Sequence, residues 1–84
     1  MDLTEKKVSD DEWQLINRSM EVLAYLQPIK SEDISQINPI YIDALADLAE
    51  KRYVIIHDGR VELTLFGEVK FFELLELILE RNML

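Results

Sequence analysis

The amino-acid sequence predicts an α+β domain in which helices cover one β-hairpin. An apolar run and an alternating run flank Asp58-Gly59, and segments with apolar residues at helical spacing lie on both sides of them. The Asp-Gly pair suits the type I′ turn of a two-residue hairpin loop, because both central residues of that turn have positive φ. A hairpin alone is barely stable in water, so we expect the helices to pack on it.

Composition limits the classes of function. The chain has 84 residues, and its 17 acidic against nine basic residues give a formal net charge of −8. With 49% hydrophobic and 31% charged residues, it has the composition of one globular domain, spanning 1–84, in which the polar residues 1–7 are expected to be flexible. The absence of cysteine excludes disulfides and thiolate metal sites. Because no apolar run is long enough for a bilayer and no secretory signal is recognisable, we expect a cytoplasmic protein without membrane contact.

The first helix has a clear predicted start. Ser9 and Glu12 have the spacing of a capping box, and two further acids fall in the same first turn. Apolar residues then cover about half of the helical circumference, which is wider than the stripe of a surface helix. We therefore expect this helix to be central, and to end near Leu26 because Pro28 follows.

Two more helices are predicted before the hairpin. Ser31 is expected to cap a short second helix, with Ile34 and Ile37 facing inward. The Asn38-Pro39 pair is typical of a helix start, and the third helix is predicted from Pro39 to about Arg52. The predicted inner face of the third helix comprises Tyr41, Ile42, Leu45, Leu48 and Ala49.

The last helix, predicted over 65–82, follows the hairpin directly. Val61, Leu63 and Leu65 alternate on one side of the second strand, and Thr64 is placed to cap the helix with Gly67 in its first turn. One edge of its apolar face has Phe71, Leu74 and Ile78, and the other edge has Phe72, Leu75 and Leu79. Because this face is wider than one small domain easily covers, we expect these six residues to form a homodimer interface. The alternative is that the helix packs wholly within its own domain.

The order helix, short helix, helix, hairpin and long terminal helix resembles the winged-helix (winged helix-turn-helix) domain. The resemblance spans Ser9 to Leu79 and is sharpest over the segment LADLAEKRYVIIHDGRVELTLFG. This segment is similar to the recognition helix, the wing and the Leu-Thr-x-x-Gly start of the terminal helix in bacterial and archaeal regulators. It departs from many of them in having Tyr53 instead of glycine between helix and strand. The resemblance implies a three-helix helix-turn-helix core, a β-hairpin wing and a long C-terminal helix.

The resemblance also implies which residues would contact DNA. DNA-binding members insert the third helix into the major groove and contact phosphates with basic residues. On this chain the outward positions of the third helix form an acidic stripe of Asp43, Asp47 and Glu50. The available cations are Lys51, Arg52 and Arg60, with Lys30 as a further candidate, a small set for a phosphate backbone. We therefore expect the acidic stripe to contact a protein. The alternative is a DNA-binding transcriptional regulator that uses helix 39–52 and the 54–65 wing.

Residues that could support catalysis or ligand binding have simpler interpretations. His57, the single histidine, is interpreted as a surface residue of the hairpin. The carboxylates of Glu73, Glu76 and Glu80 are interpreted as the solvated face of the last helix and not as a metal site. Trp13, Tyr25, Tyr41 and Phe66 could be read as a ligand cage, but Trp13 and Tyr41 are interpreted as core residues, and Tyr25 is placed on the more polar side of the first helix. We expect no enzymatic activity, no cofactor and no metal.

Overall fold

The computed structural model describes residues 9–83 and has a mixed α+β architecture, as the sequence predicts. Its helices are α1 (Asp10–Ile29), α2 (Ile42–Glu50) and α3 (Leu65–Met83). Its strands are β1 (Ser31–Asp33), β2 (Val54–His57) and β3 (Arg60–Leu63), which form one antiparallel sheet in the order β1-β3-β2. Two 3₁₀ turns, Ile34–Gln36 and Pro39–Tyr41, connect β1 to α2. The predicted flexibility of residues 1–7 lies outside the described residues.

The start of α1 is confirmed and its predicted end is wrong. The Glu12 amide donates to Ser9 Oγ at 3.2 Å, and the Ser9 amide donates to Glu12 Oε1 at 2.9 Å, which completes the capping box. The helix does not end near Leu26 but continues through Pro28 to Ile29. A proline in the last turn removes only one helical hydrogen bond. Lys30 then closes the helix in the left-handed conformation (φ 68°), donating its amide to the Leu26 carbonyl at 2.7 Å.

The prediction of a second helix starting at Ser31 is wrong, because this segment forms β1. Ser31 pairs with Glu62 and Asp33 pairs with Arg60, so the edge of the hairpin gains a third strand. The cap moves to Asp33, whose carboxylate accepts from the Ser35 amide at 2.9 Å in the following 3₁₀ turn. Sheet hydrogen bonding thus outweighs the local helix-start signal of a serine followed by two acids.

The third predicted helix starts as expected but in two parts. Asn38 Oδ1 accepts from the Ile40 amide at 3.0 Å, which confirms the cap. A 3₁₀ turn then precedes α2, which ends at Glu50 because Arg52 takes the left-handed conformation (φ 68°). Since a 3₁₀ turn has three residues per turn, it shifts the helical phase. The placement of Ile42 on the inner face is therefore wrong: it is 51% exposed, and Ala44 is buried instead.

The hairpin matches its prediction closely. Asp58 (φ 51°) and Gly59 (φ 75°) both have positive φ, and His57 pairs with Arg60 across a two-residue loop. Val61 is fully buried and Leu63 is half-buried, as the alternation predicts. Leu65 does not continue this pattern, because it begins α3 and is 79% exposed.

One hydrophobic core joins all three helices to the inner face of the sheet. Its buried members are Val22, Leu23, Leu26, Leu45, Leu48, Val54, Val61 and Leu74. Ile34 and Ile37 pack against this core from the connecting segment, as predicted. Since α1 supplies three of these buried residues and contacts α2, α3 and the sheet, the prediction of a central first helix is confirmed.

The first turn of α3 packs on the backbone at the junction of α2 and β2. Thr64 caps the helix, as predicted: the Gly67 amide donates to Thr64 Oγ1 at 3.0 Å. The same hydroxyl lies 2.8 Å from the Arg52 carbonyl and 2.9 Å from the Tyr53 carbonyl. A Cβ atom added at Gly67 would stand 2.1 Å from the Tyr53 carbonyl oxygen. Glycine is therefore required here by close approach of two backbones.

Substitution Gly67→Ala tests this contact, because helix propensity and packing predict opposite signs. Propensity favours alanine over glycine inside a helix by about 1 kcal/mol. The clash with Tyr53 should instead lower the free energy of unfolding by about 2–3 kcal/mol, measured by urea denaturation.

Gly59→Ala is the matched control, since nothing lies within 4 Å of its added Cβ and the cost is the positive φ alone, about 1–2 kcal/mol. A stabilised Gly67→Ala variant would contradict the packing argument.

Candidate interaction surfaces

An apolar strip runs along the outer side of α3. Its members are Leu65 (79% exposed), Val69 (59%), Phe72 (62%) and Leu79 (53%). Phe66 lies beside the strip and is 70% exposed. A shallow groove of about 420 Å³ continues the strip and is lined by Val69, Phe72, Glu73, Leu75, Glu76 and Leu79. Soluble monomers seldom expose large apolar side chains in such a continuous row.

The six predicted interface residues divide between two sides of α3. Leu74 is buried in the core of its own domain, Phe71 packs against that core, and Ile78 is half-buried. On the other edge Phe72 and Leu79 are exposed, and Leu75 is half-buried. The strip also includes Leu65 and Val69, which the sequence interpretation missed. The signal available in the sequence was the helical spacing: four residues from Leu65 to Val69, and three from Val69 to Phe72.

The acidic stripe of α2 is a mixed surface in the structure. Asp43 and Glu50 are exposed, but Asp47 is half-buried and its Oδ2 lies 3.1 Å from Lys51 Nζ. This pair has the i,i+4 spacing of a helical ion pair, and the exposure of Lys51 limits its contribution to stability. The charges of Asp47 and Lys51 partly offset each other, so both side chains attract a partner less strongly.

The three cations predicted for nucleic-acid contact lie at the end of α2 and at the start of β3, and all three are exposed. Lys51 pairs with Asp47, and the Arg60 guanidinium donates from Nε (3.1 Å) and Nη2 (2.9 Å) to Ser31 Oγ across the sheet. Arg52 occupies the left-handed position at the end of α2, where its carbonyl accepts from Thr64. Of the three side chains, two are therefore held by contacts inside the domain.

A second groove, of about 590 Å³, lies between α1 and the segment that connects β1 to α2. Tyr25 and Tyr41 line it together with Met20, Ala24 and Ile37. The Tyr25 hydroxyl donates to Glu32, and the Tyr41 hydroxyl donates to Glu21 Oε1 at 2.6 Å. These hydrogen bonds to carboxylates raise the pKa of both phenols above the usual value. The structure thus brings two of the four aromatic cage candidates to one groove.

The other two cage candidates lie elsewhere. Trp13 is near the start of α1, with the Arg81 guanidinium 4.2 Å from the centre of its ring. Phe66 is on the exposed side of α3. The four aromatic residues therefore do not form a cage.

The chain has no recognised relative, metal cluster or membrane-spanning helix among the residues that the structure describes. No protein-family model, curated protein or solved structure matches the chain. Among residues 9–83, no group of three or more His, Cys, Asp or Glu side chains is arranged to hold a metal ion. Within the same residues, no helix combines the length and the apolar character needed to cross a bilayer.

His57 lies on the exposed face of the hairpin between two carboxylates. Its Nδ1 is 3.5 Å from Asp58 Oδ2, and its Nε2 is 3.4 Å from Glu62 Oε1. Asp58 first, and Glu62 second, raise the pKa of the imidazole above 6.5 by favouring its charged form. The side chain is exposed, as the sequence predicts.

NMR titration of the His57 ring protons should therefore give a pKa above 6.5, and Asp58→Asn should lower it more than Glu62→Gln. Asparagine tolerates the positive φ at this turn position, so the hairpin is retained. Because the folded-state pKa is raised, the contribution of this contact to stability is present below the unfolded pKa. It is lost as the pH rises through the folded pKa. A titration midpoint at or below 6.5 would contradict the contacts.

Proposed function

We propose that the chain is a non-enzymatic winged-helix module that acts by protein–protein interaction. In this proposal two copies associate through the apolar strip of α3, and the acidic stripe of α2 contacts a basic protein surface. The element order supports the winged-helix arrangement, with the hairpin β2–β3 as the wing and α2 in the place of the recognition helix. The short second helix of that arrangement corresponds here to the 3₁₀ turn Ile34–Gln36.

The observation that carries the proposal is the exposure of Leu65, Val69, Phe72 and Leu79 on one side of a 19-residue helix. Fully burying one such side chain stabilises a complex by about 1.5–3 kcal/mol. In a two-fold pair every residue of the strip is buried twice, once in each copy. Self-association therefore removes the largest exposed apolar surface of α3 with one interface.

Charge favours a protein over DNA as the second partner. Asp43 and Glu50 are exposed on α2, where a winged helix would meet the major groove, and they would repel phosphates. The ion pair with Asp47 offsets the charge of Lys51, one of the three cations that could counter this repulsion. A basic protein surface would be attracted by the same acids.

Sedimentation velocity tests the self-association. The wild-type protein should form a dimer at high micromolar concentration, and Phe72→Glu should be monomeric, because it places a charge in the middle of the apolar strip. Phe72 is 62% exposed, so the variant should keep the stability of the fold.

Ile40→Glu is the matched control: Ile40 is 55% exposed but lies in the turn before α2, and this variant should remain dimeric. A wild-type monomer at these concentrations, or a dimer that Phe72→Glu leaves intact, would overturn the proposal.

Duplex DNA distinguishes the two partner classes. Fluorescence anisotropy with a labelled duplex should show no binding at low salt, where electrostatic attraction is strongest. Salt-sensitive binding that is lost in Lys51→Ala and in Arg60→Ala would instead support a DNA-binding regulator and contradict the proposed protein partner.

A further inference from the structure

We propose that the two copies pair with their α3 helices antiparallel. The second half of each α3, which is acidic, then lies along the first half of the other. This inference rests on the proposed self-association and assigns its geometry. The observations that carry it are the spacing of the apolar strip and the distribution of charge along α3.

The strip has the spacing of a coiled-coil seam with one charged position. Leu65, Val69 and Phe72 are separated by four and three residues, and Leu79 follows seven residues later. The seam position between Phe72 and Leu79 is Glu76, which is exposed. In a parallel two-fold pair each seam residue faces its own copy, so two Glu76 carboxylates would meet in the interface. Like charges at such short range are repulsive.

An antiparallel pair gives Glu76 a different neighbour. If the two-fold axis passes near Phe72, Leu65 faces Leu79 of the second copy, and Glu76 faces Glu68 of the second copy. Glu68 is paired with Lys30 Nζ at 3.3 Å, so the carboxylate that Glu76 meets already has a counter-ion. This counter-ion reduces the repulsion between the two carboxylates.

Charge around the two ends of α3 favours the same orientation. The second half of α3 has three acids, Glu73, Glu76 and Glu80, against one base, Arg81. The acidic first turn of α1 (10–12) lies near them, because α1 and α3 run antiparallel: Arg81 covers the Trp13 ring, and Lys30 meets Glu68 at the other end. The first half of α3 has Glu68 and Lys70, with Lys30 beside it; Lys30 pairs with Glu68, and Lys70 pairs with Glu73. A parallel pair would bring two acidic ends together, whereas an antiparallel pair places each acidic end beside an end whose charges are nearly balanced.

Disulfide crosslinking measures the orientation directly, since the wild-type chain contains no cysteine. The variants are Leu65→Cys, Phe72→Cys and Leu79→Cys, each a single change at an exposed position, with Ile40→Cys as the control outside α3. Each is oxidised in a glutathione redox buffer under native conditions. One of the Leu65→Cys and Leu79→Cys proteins is labelled with ¹⁵N so that a mixed disulfide has its own mass.

The antiparallel pair predicts efficient crosslinking of Phe72→Cys with itself and a mixed disulfide between Leu65→Cys and Leu79→Cys. Neither of the latter variants should crosslink with itself above the Ile40→Cys level, because its two copies would stand about 21 Å apart along the helices, far beyond the Cα separation of a disulfide. Self-crosslinking of both Leu65→Cys and Leu79→Cys would overturn the antiparallel orientation and leave self-association standing. A wild-type monomer in sedimentation, with no crosslink above the control, would overturn both.

Discussion

The close approach of Gly67 to the Tyr53 carbonyl fixes where α3 begins and therefore which side of it faces the core. Thr64 reinforces this contact, because its hydroxyl caps α3 and reaches the carbonyls at the end of α2. With the first turn held in this way, Leu74 lies in the core and Phe72 lies outside it. The exposure of the apolar strip is thus a consequence of how closely two backbones approach at one glycine.

The features that were predicted correctly depend on residues close together in the chain. The caps at Ser9, Asn38 and Thr64 and the turn at Asp58-Gly59 each satisfy local backbone groups or local φ angles, so their sequence signals are strong. Strand β1 was missed because its three residues pair with β3, about thirty positions away, and carry no alternation of their own. A tertiary hydrogen-bond partner cannot be inferred from such a short segment.

The surface contacts differ in the same way: some depend on residues close together in the chain, and others depend on tertiary structure. The ion pair of Asp47 and Lys51 could be predicted from its i,i+4 spacing. Because Lys51 offsets one of the three acids, the surface of α2 is less acidic than the stripe of Asp43, Asp47 and Glu50 alone indicates. The contact of Arg60 with Ser31 depends on β1 and could not be foreseen without that strand. The exposed edge of α3 also depends on packing, because both apolar edges have similar composition and packing against α1 decides between them.

The pairing of α1 with α3 has a consequence for how unfolding is observed. The domain extends 48 Å along one axis and about 20 Å along the others, and the buried apolar residues of α1 all lie in its second half. Trp13, the single tryptophan, is in the first half, with Arg81 against its ring. Its fluorescence therefore reports the opening of one end of the helix pair, whereas circular dichroism reports the helices throughout the domain. Unfolding curves from the two signals would separate wherever that end opens before the core does.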